Sequence, residues 1–448
     1  MAILAGIVTL LPALFRYEQL LRSQHWSKLA LEEYSHRCLE QTLEAASAIR
    51  FYRERFPSIG PDADLQSLPT LKRADIPALN DSVRRGRGQA SFFSGCSSGS
   101  TGMPVEFLFD ARHQYGRYAA RIRYLRANGW NPAKRNAWIV SLTSNDPASL
   151  DARLLRSRLL FRTRSVPLFS PFDRQVEALS QQDPEYLYTF PSNLEGLLQV
   201  FERKSMRLGS LRRIFTGGEV LDDSLRRRAR EVLRVEISDN YGSTEGFIAW
   251  QCPKGTYHLN AEHVLVEIID EQARPVAPGQ IGRVLVTTLE NRLMPLVRFE
   301  IGDYAIASSN ECACGRTLPA IERVIGRGIN LFRRPGGSLF SPWPLVGPLK
   351  ARRQLKQFQI VQDDLYRFIV RFAADEALSR ETEQEITKSF CEILKMGVSV
   401  SFERVDSIPR TPGGKFMTAL SRLGPAPADL VHSAEPALRA ARAESGEP

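Results

Sequence analysis

Leu211-Arg212-Arg213-Ile214-Phe215-Thr216-Gly217-Gly218-Glu219 is the stretch on which the fold turns. It reads as a short apolar strand running into a double-glycine turn. A very basic helix from Asp222 to about Leu233 follows, and then a second strand, Val235-Glu236-Ile237-Ser238-Asp239, runs into Asn240-Tyr241-Gly242-Ser243-Thr244-Glu245-Gly246. Strand, helix, strand, with a glycine-bearing segment at the carboxyl end of each strand, is the pattern of a layered α/β domain. Ligands in such sheets sit at those carboxyl ends.

Upstream the alternation continues. Tyr186-Leu187-Tyr188-Thr189-Phe190 is a strand before a helix from Ser192 to about Arg203, and Ala137–Leu142 is another apolar run after a helix over 111–127. Residues 16–56 read as helix, and Leu68–Ile76 as a turn entering a further helix. Downstream, His263–Asp270, Gly282–Thr288 and Leu296–Tyr304 are strands of a β-rich subdomain. After Gly326-Arg327 the pattern becomes two alternating strands, around 366–372 and 398–402, flanking a polar helix from Ser379 to Lys395. The expected division is a large domain over 1–325, a hinge at 326–330, a small α+β domain over 331–423 and an Ala/Pro/Glu-rich disordered tail over 424–448.

Composition narrows the class. The chain has 448 residues, 43% hydrophobic and 25% charged, as in an ordinary soluble globular protein. Its net charge of +10 comes from scattered arginines such as Arg226-Arg227-Arg228 and Arg352-Arg353, not from a compact basic domain, so no nucleic-acid partner is expected. Six unevenly placed cysteines suit a reducing compartment and a cytoplasmic protein. Met1–Phe15 is apolar apart from Thr9, lacks a basic leader and is too short to span a bilayer. It reads as a helix packed on the body, with a membrane-surface anchor as the alternative.

Ser97-Ser98-Gly99-Ser100-Thr101-Gly102 joins four hydroxyls to two glycines. Such a loop turns backbone N–H groups and hydroxyls toward an anion and can wrap a polyphosphate, although the same composition also makes a flexible linker. A Walker lysine is absent. Cys252 and His258 with Cys312-Ala313-Cys314-Gly315 offer three thiolates and an imidazole, the composition of a closed tetrahedral Zn²⁺ site. Cys38, Cys96 and Cys391 read as packing.

Four segments stand in order: Ser97–Gly102, Asn240–Gly246, Arg298–Asp303 and Pro409-Arg410-Thr411-Pro412-Gly413-Gly414-Lys415. Together they resemble the phosphate loop, the Tyr-Gly-x-Thr-Glu segment, the Arg-x-x-Gly-Asp segment and the Pro-x-Thr-x-x-Gly-Lys loop of the adenylate-forming superfamily of acyl- and aryl-CoA ligases. Phe51–Phe56, Leu68–Ile76 and Phe358–Gln362 look most like its phenylacetate-CoA ligase and capsule-locus group. The resemblance implies an ATP-dependent ligase that activates a small carboxylic acid as an acyl- or aryl-adenylate and passes it to coenzyme A. The alternatives are a different acceptor or a non-catalytic adenylate-binding relative.

Residue by residue, the resemblance implies that 97–102 cradle the β- and γ-phosphates, Thr244 touches the α-phosphate and Glu245 holds Mg²⁺. Tyr241, beside Gly242, would stack on adenine, with Gly217, Gly218 and Glu219 along its other edge. Asp303 and Arg327 would hold the ribose, and Lys415 would bring charge to the α-phosphate as acyl-AMP forms. Tyr188, Phe190 and Pro191 are candidates for the acyl pocket, though a buried strand explains them equally well. The family's small domain rotates about a pivot three residues past the Gly-Arg pair. Here that position is Asn330, where an acidic or lysyl residue is usual, and Met103 stands where lysine is often found.

Overall fold

The computed structural model describes residues 2–87, 92–96, 105–140, 162–308, 311–328, 331–336, 339–352, 354–410 and 416–423. Expectations for Ser97–Gly102, Met103, Asn330, Lys415 and the 424–448 tail lie outside the described residues, as does the end of the strand expected over Ala137–Leu142.

The helices at the start are α1 (Ala2–Ser23), α2 (Lys28–Ser47), α3 (Arg50–Arg55) and α4 (Ile76–Arg87). The single helix expected over 16–56 is thus three. Ser27 breaks it by capping α2, its hydroxyl accepting from the Ala30 N–H at 3.2 Å, and Ile49 breaks it again in an extended conformation. α1 lies against α5 (Ala111–Ala127), with Ala13 and Leu20 buried and Leu11, Leu14 and Phe15 exposed. Among the described residues no helix is long and apolar enough to cross a membrane.

A hairpin, β1 (Phe93–Cys96) and β2 (Glu106–Phe109), flanks residues 97–104. Cys96, read as packing, is exposed on β1, because alternate residues of that strand face outward.

The main sheet has 11 strands. Its parallel half contains β3 (Asn136–Val140), β4 (Thr163–Pro167), β5 (Tyr186–Tyr188), β6 (Arg213–Gly217) and β7 (Glu236–Gly242). The intervening helices are α6 (Phe172–Gln182), α7 (Pro191–Arg203) and α8 (Asp223–Leu233). They bury Leu179, Leu197, Phe201 and Leu225 against Ile139, Leu187 and Ile214.

The antiparallel half follows with β8 (Phe247–Gln251), β9 (Tyr257–Leu259), β10 (Val264–Ile269), β11 (Ile281–Thr288), β12 (Phe299–Ala307) and β13 (Ala320–Arg327). The spatial order is β10-β11-β12-β13-β9-β8-β7-β6-β5-β3-β4. The expected β-rich subdomain is therefore the continuation of one sheet, joined edge to edge where β8 pairs antiparallel with β7. That junction is where the sheet changes from parallel to antiparallel, and β7 carries the Asn240–Gly246 segment across it.

Beyond β14 (Phe332–Arg333) and β15 (Leu339–Phe340) comes a second core. α9 (Trp343–Lys350) and α10 (Arg380–Leu394) cover a sheet of β16 (Gln357–Asp364), β17 (Arg367–Ala373), β18 (Ser399–Arg404) and β19 (Ala419–Ser421) in the order β18-β17-β16-β19. Leu345, Leu349, Ile360, Phe368 and Phe390 form its interior. Ser379 caps α10, accepting from the Thr382 N–H at 3.2 Å, which fixes the start the sequence expects.

Candidate active site

The register of the sheet assembles the site. Thr216 and Gly217 on β6 lie opposite Asp239 and Asn240 on β7, and Asp303 on β12 lies opposite Arg327 on β13. The double-glycine turn and the Asn240–Gly246 segment are therefore neighbours by strand pairing. Gly217 is required there. A Cβ on it would stand 2.5 Å from Nδ2 of Asn240, whose amide crosses to donate to the Thr216 carbonyl at 2.6 Å and to the Tyr188 hydroxyl at 3.0 Å. Gly218 follows at φ 80°, a left-handed turn that glycine adopts without strain.

Asp303 is held from two sides. Tyr241 donates its hydroxyl to one carboxylate oxygen at 2.8 Å, and Nε of Arg327 stands 3.0 Å from the other. Gly302, at φ 82°, makes the turn of backbone that presents Asp303. Burial, and then the neighbouring Asp303 charge, raise the Tyr241 phenol well above its usual range, so it stays a neutral donor. Beneath it Asp239 is buried, accepting from Thr216 Oγ1 at 2.5 Å and from the Tyr257 hydroxyl. Burial raises its carboxyl despite those donors.

Glu245 is buried and Thr244 sits beside it. Arg117 on α5 donates to the Thr244 carbonyl at 3.1 Å, which fixes the turn between them. A Cβ on Gly95 would lie 3.1 Å from the Thr244 methyl, so the strand that leads into the Ser97–Gly102 loop runs against this turn.

A cavity of about 180 Å³ opens between these elements. Gly218, Glu219, Tyr241, Gly242, Thr244, Glu245, Asp303 and Arg327 all line it, from four separate segments. Pro191 lines it as well, while Tyr188 and Phe190 are not in its wall. Tyr188 instead stacks on Trp138 with ring centroids 5.2 Å apart, and Arg121 lies over both rings. The far wall belongs to the small domain: Trp343 of α9, and Phe416, Met417 and Thr418 leading into β19.

Glu219 lies at the meeting point. Its carboxylate accepts the Ser192 N–H at 2.8 Å, the Ser192 hydroxyl at 3.0 Å and the Phe416 N–H at 2.7 Å. Arg410 reaches the same Ser192 hydroxyl oxygen at 2.9 Å. The residue expected along the adenine edge thus holds the chain directly after Lys415.

Sequence reading gave no role to Ser192, Asn240, Arg117 or Arg410, although Asn240 and Arg410 lie inside two of the four matching segments. It also missed Arg73. That guanidinium feels the charges of Arg327 and Glu245, and burial lowers its pKa. By contrast Arg298, inside a matching segment, is structural. It is buried, pairs with Glu267 at 3.0 Å and donates to the Leu68 carbonyl at 2.6 Å.

A second cluster lies at the edge of the antiparallel half. Trp250 on β8 pairs with His258 on β9, and His258 with Ala320 on β13, so the ends of three strands converge. There one donor atom each of Cys252, His258, Cys312 and Cys314 lies within 4.8 Å of the others. The Sγ atoms of Cys252 and Cys312 are 3.6 Å apart, and Sγ of Cys314 is 3.3 Å from Nε2 of His258. Sulfurs about 2.3 Å from a tetrahedral zinc are separated by roughly 3.8 Å, so the spacing fits. Nδ1 of His258 faces the Leu318 carbonyl at 3.2 Å, which leaves Nε2 as the ligand atom, and burial lowers the imidazole pKa toward the neutral, ligating form.

Known proteins give the same outline. Residues 155–290 match the AMP-binding enzyme family, and residues 337–421 match the CapK C-terminal domain. A phenylacetate-coenzyme A ligase of Thermus thermophilus is 25% identical over 225 residues, covering 48% of this chain and 51% of its own. Protein CapK of Staphylococcus aureus is 26% identical over 220 residues, covering 47% and 46%. The chain thus spans about half the length of the curated relatives it matches.

In fold it is similar to a 2-hydroxyisobutyryl-CoA ligase in its postadenylation state, with a TM-score of 0.73, 19% identity and coverage of 90% and 92%. Against the same ligase in its thioesterification state the score is 0.59. By these matches the chain is similar, over parts of its length, to the AMP-binding enzyme family, to the CapK C-terminal domain and to phenylacetate-coenzyme A ligases and CapK.

Proposed function

We propose that the protein is an ATP-dependent, AMP-forming ligase that activates a small acyl or aryl carboxylic acid and transfers it to coenzyme A. One observation carries the reading: Tyr241, Thr244, Glu245, Asp303 and Arg327 converge on a single cavity that is closed by the segment following Lys415.

A carboxylate is ionised at neutral pH and needs no general base. Its oxygen attacks the α-phosphorus of ATP, the bond to the β-phosphate oxygen breaks, and pyrophosphate leaves with that electron pair. The protein has to orient the two anions and cancel their charge. Asp303, fixed by Tyr241 and Arg327, accepts the ribose hydroxyls. Thr244 donates to the α-phosphate from a turn held by Arg117. Gly218 and Tyr241 border adenine, and the Ser97–Gly102 loop takes the β- and γ-phosphates. Glu245 offers a hard oxygen ligand, and bound Mg²⁺ would neutralise phosphate charge. Lys415 supplies a point charge at the reacting phosphorus. The acid then lies by Pro191, which lines the cavity. Free thiols throughout suit the cytoplasm, where we place the protein.

We propose also that Cys252, His258, Cys312 and Cys314 hold a structural Zn²⁺ that clamps the ends of three strands. The closed donor set leaves no open position for catalysis.

Pyrophosphate release measured over a panel of aryl and fatty acids, then thioester formation with coenzyme A, tests the reading. Release with one class of acid supports it, and release without thioester directs the acyl group to another acceptor. ATP binding without release for any acid would leave a non-catalytic adenylate binder.

A further inference from the structure

At the rim of the same cavity, one buried charge joins the two domains. Lys350 ends α9, whose Leu345, Val346 and Leu349 are embedded in the core of the small domain. Its ammonium leaves that domain and lies 2.7 Å from a carboxylate oxygen of Asp222 and 3.2 Å from one of Glu195, both in the large domain. All three side chains are largely shielded, at 13%, 18% and 28% exposure. Asp222 is also the N-cap of α8, accepting from the Leu225 N–H at 3.0 Å, so its carboxylate is fixed before the small domain arrives. Glu195 sits on α7, one turn from Ser192. One ammonium thus meets two carboxylates that are anchored on separate helices.

We propose that Lys350, clasped by Glu195 and Asp222, is the positioning residue that holds the small domain closed over the cavity, and so sets how often the Lys415 segment occupies the site. The catalytic consequence rests on the ligase reading; the closure itself does not. Among the described residues this boundary also carries hydrogen bonds from Phe416 to Glu219, from Arg410 to Ser192 and from Gln199 to the Lys356 carbonyl at 3.4 Å, and Arg410 feels the Glu219 charge. Of these, only the Gln199 bond joins two neutral groups and exchanges for water at modest cost. Removing Lys350 is different, because it leaves two shielded carboxylates facing an apolar stub without their counter-charge. The closed arrangement is then disfavoured while each domain keeps its own core.

Hydrogen exchange of the full chain tests this, with Lys350→Met against the wild type. The expected result is exchange faster by about tenfold or more at interface amides of 191–199, 219–226 and 416–421, with the amides of β16 and β17 unchanged as the control for folding. Unchanged exchange at the interface overturns the proposal.

A second variant guards against a trivial effect. Glu195→Gln with Asp222→Asn keeps the N-cap and should open the same amides; added to Lys350→Met it should open them no further. Additive opening overturns the clasp. Once an acid is known, Lys350→Met should slow acyl-AMP formation about tenfold and leave consumption of supplied acyl-AMP by coenzyme A undiminished. Equal loss of both steps overturns the positioning role. If the wild type activates no acid at all, the ligase reading fails, and the exchange data still decide the clasp.

Discussion

Tyr241 donates its hydroxyl to Asp303 at 2.8 Å, joining two segments 62 residues apart. The bond orients a carboxylate that Arg327 holds from the other side. Tyr241→Phe should therefore raise the KM for ATP by about three- to tenfold with kcat nearly unchanged, the effect of one neutral hydrogen bond. Asp303→Ala leaves Arg327 without its partner carboxylate and should lower kcat/KM for ATP by at least about a hundredfold. Steady-state kinetics in ATP check both.

Lys415→Ala should abolish acyl-AMP formation, a loss of at least about a hundredfold, because the charge it brings is needed only as the α-phosphorus is attacked. Thioester formation from supplied acyl-AMP should persist. Measuring the two half-reactions separately decides it, and equal loss of both would remove Lys415 from the assigned role.

Glu219 binds the backbone immediately after Lys415, at 2.7 Å from the Phe416 nitrogen. Glu219→Gln should lower the rate constant of acyl-AMP formation by about tenfold, the value of a charge-assisted hydrogen bond, and leave the KM for ATP alone. A raised KM with an unchanged rate constant would return Glu219 to the adenine edge that the sequence alone suggests.

The thiol and imidazole cluster predicts about one zinc ion per chain by mass spectrometry of metals. Cys312→Ser should lose the ion. Chelation or that substitution should lower the melting temperature by roughly 10 °C, because the ion ties strand ends together in the folded state only. A wild-type protein of full stability and activity that carries no metal would refute the site.

Acid should weaken the fold through Glu262. Burial acts to raise its carboxyl, but Arg123 at 2.7 Å and the Ser23 hydroxyl at 2.6 Å outweigh it and hold the pKa below its ordinary 4.5. A depressed carboxyl contributes stability that is fully present above 4.5 and is lost as pH falls through the lower folded value. Denaturant titrations should therefore show a loss below pH 4.5 that is shallower in Glu262→Gln.

The sequence by itself determined whatever is local. The local residue pattern marked α5, α7, α8 and α10 within a residue or two. The residue types of Cys252, His258, Cys312 and Cys314 suggested one donor set, and the fold brings those donor atoms within 4.8 Å of one another. Motif order named Tyr241, Thr244, Glu245, Asp303 and Arg327, which the fold gathers around one cavity.

Tertiary structure alone decided what depends on register between distant strands and on how one domain sits upon the other. The strands after residue 263 extend the main sheet because β8 pairs with β7, which no periodicity encodes. Cys96, read as packing, faces solvent, and Arg298 inside a matching segment is buried with Glu267. Glu219 and Lys350 acquire their roles only when the small domain docks. The physical reason is range: backbone propensity and hydrophobic period act over a few residues. The partner of a buried charge is chosen by the packing of whole elements.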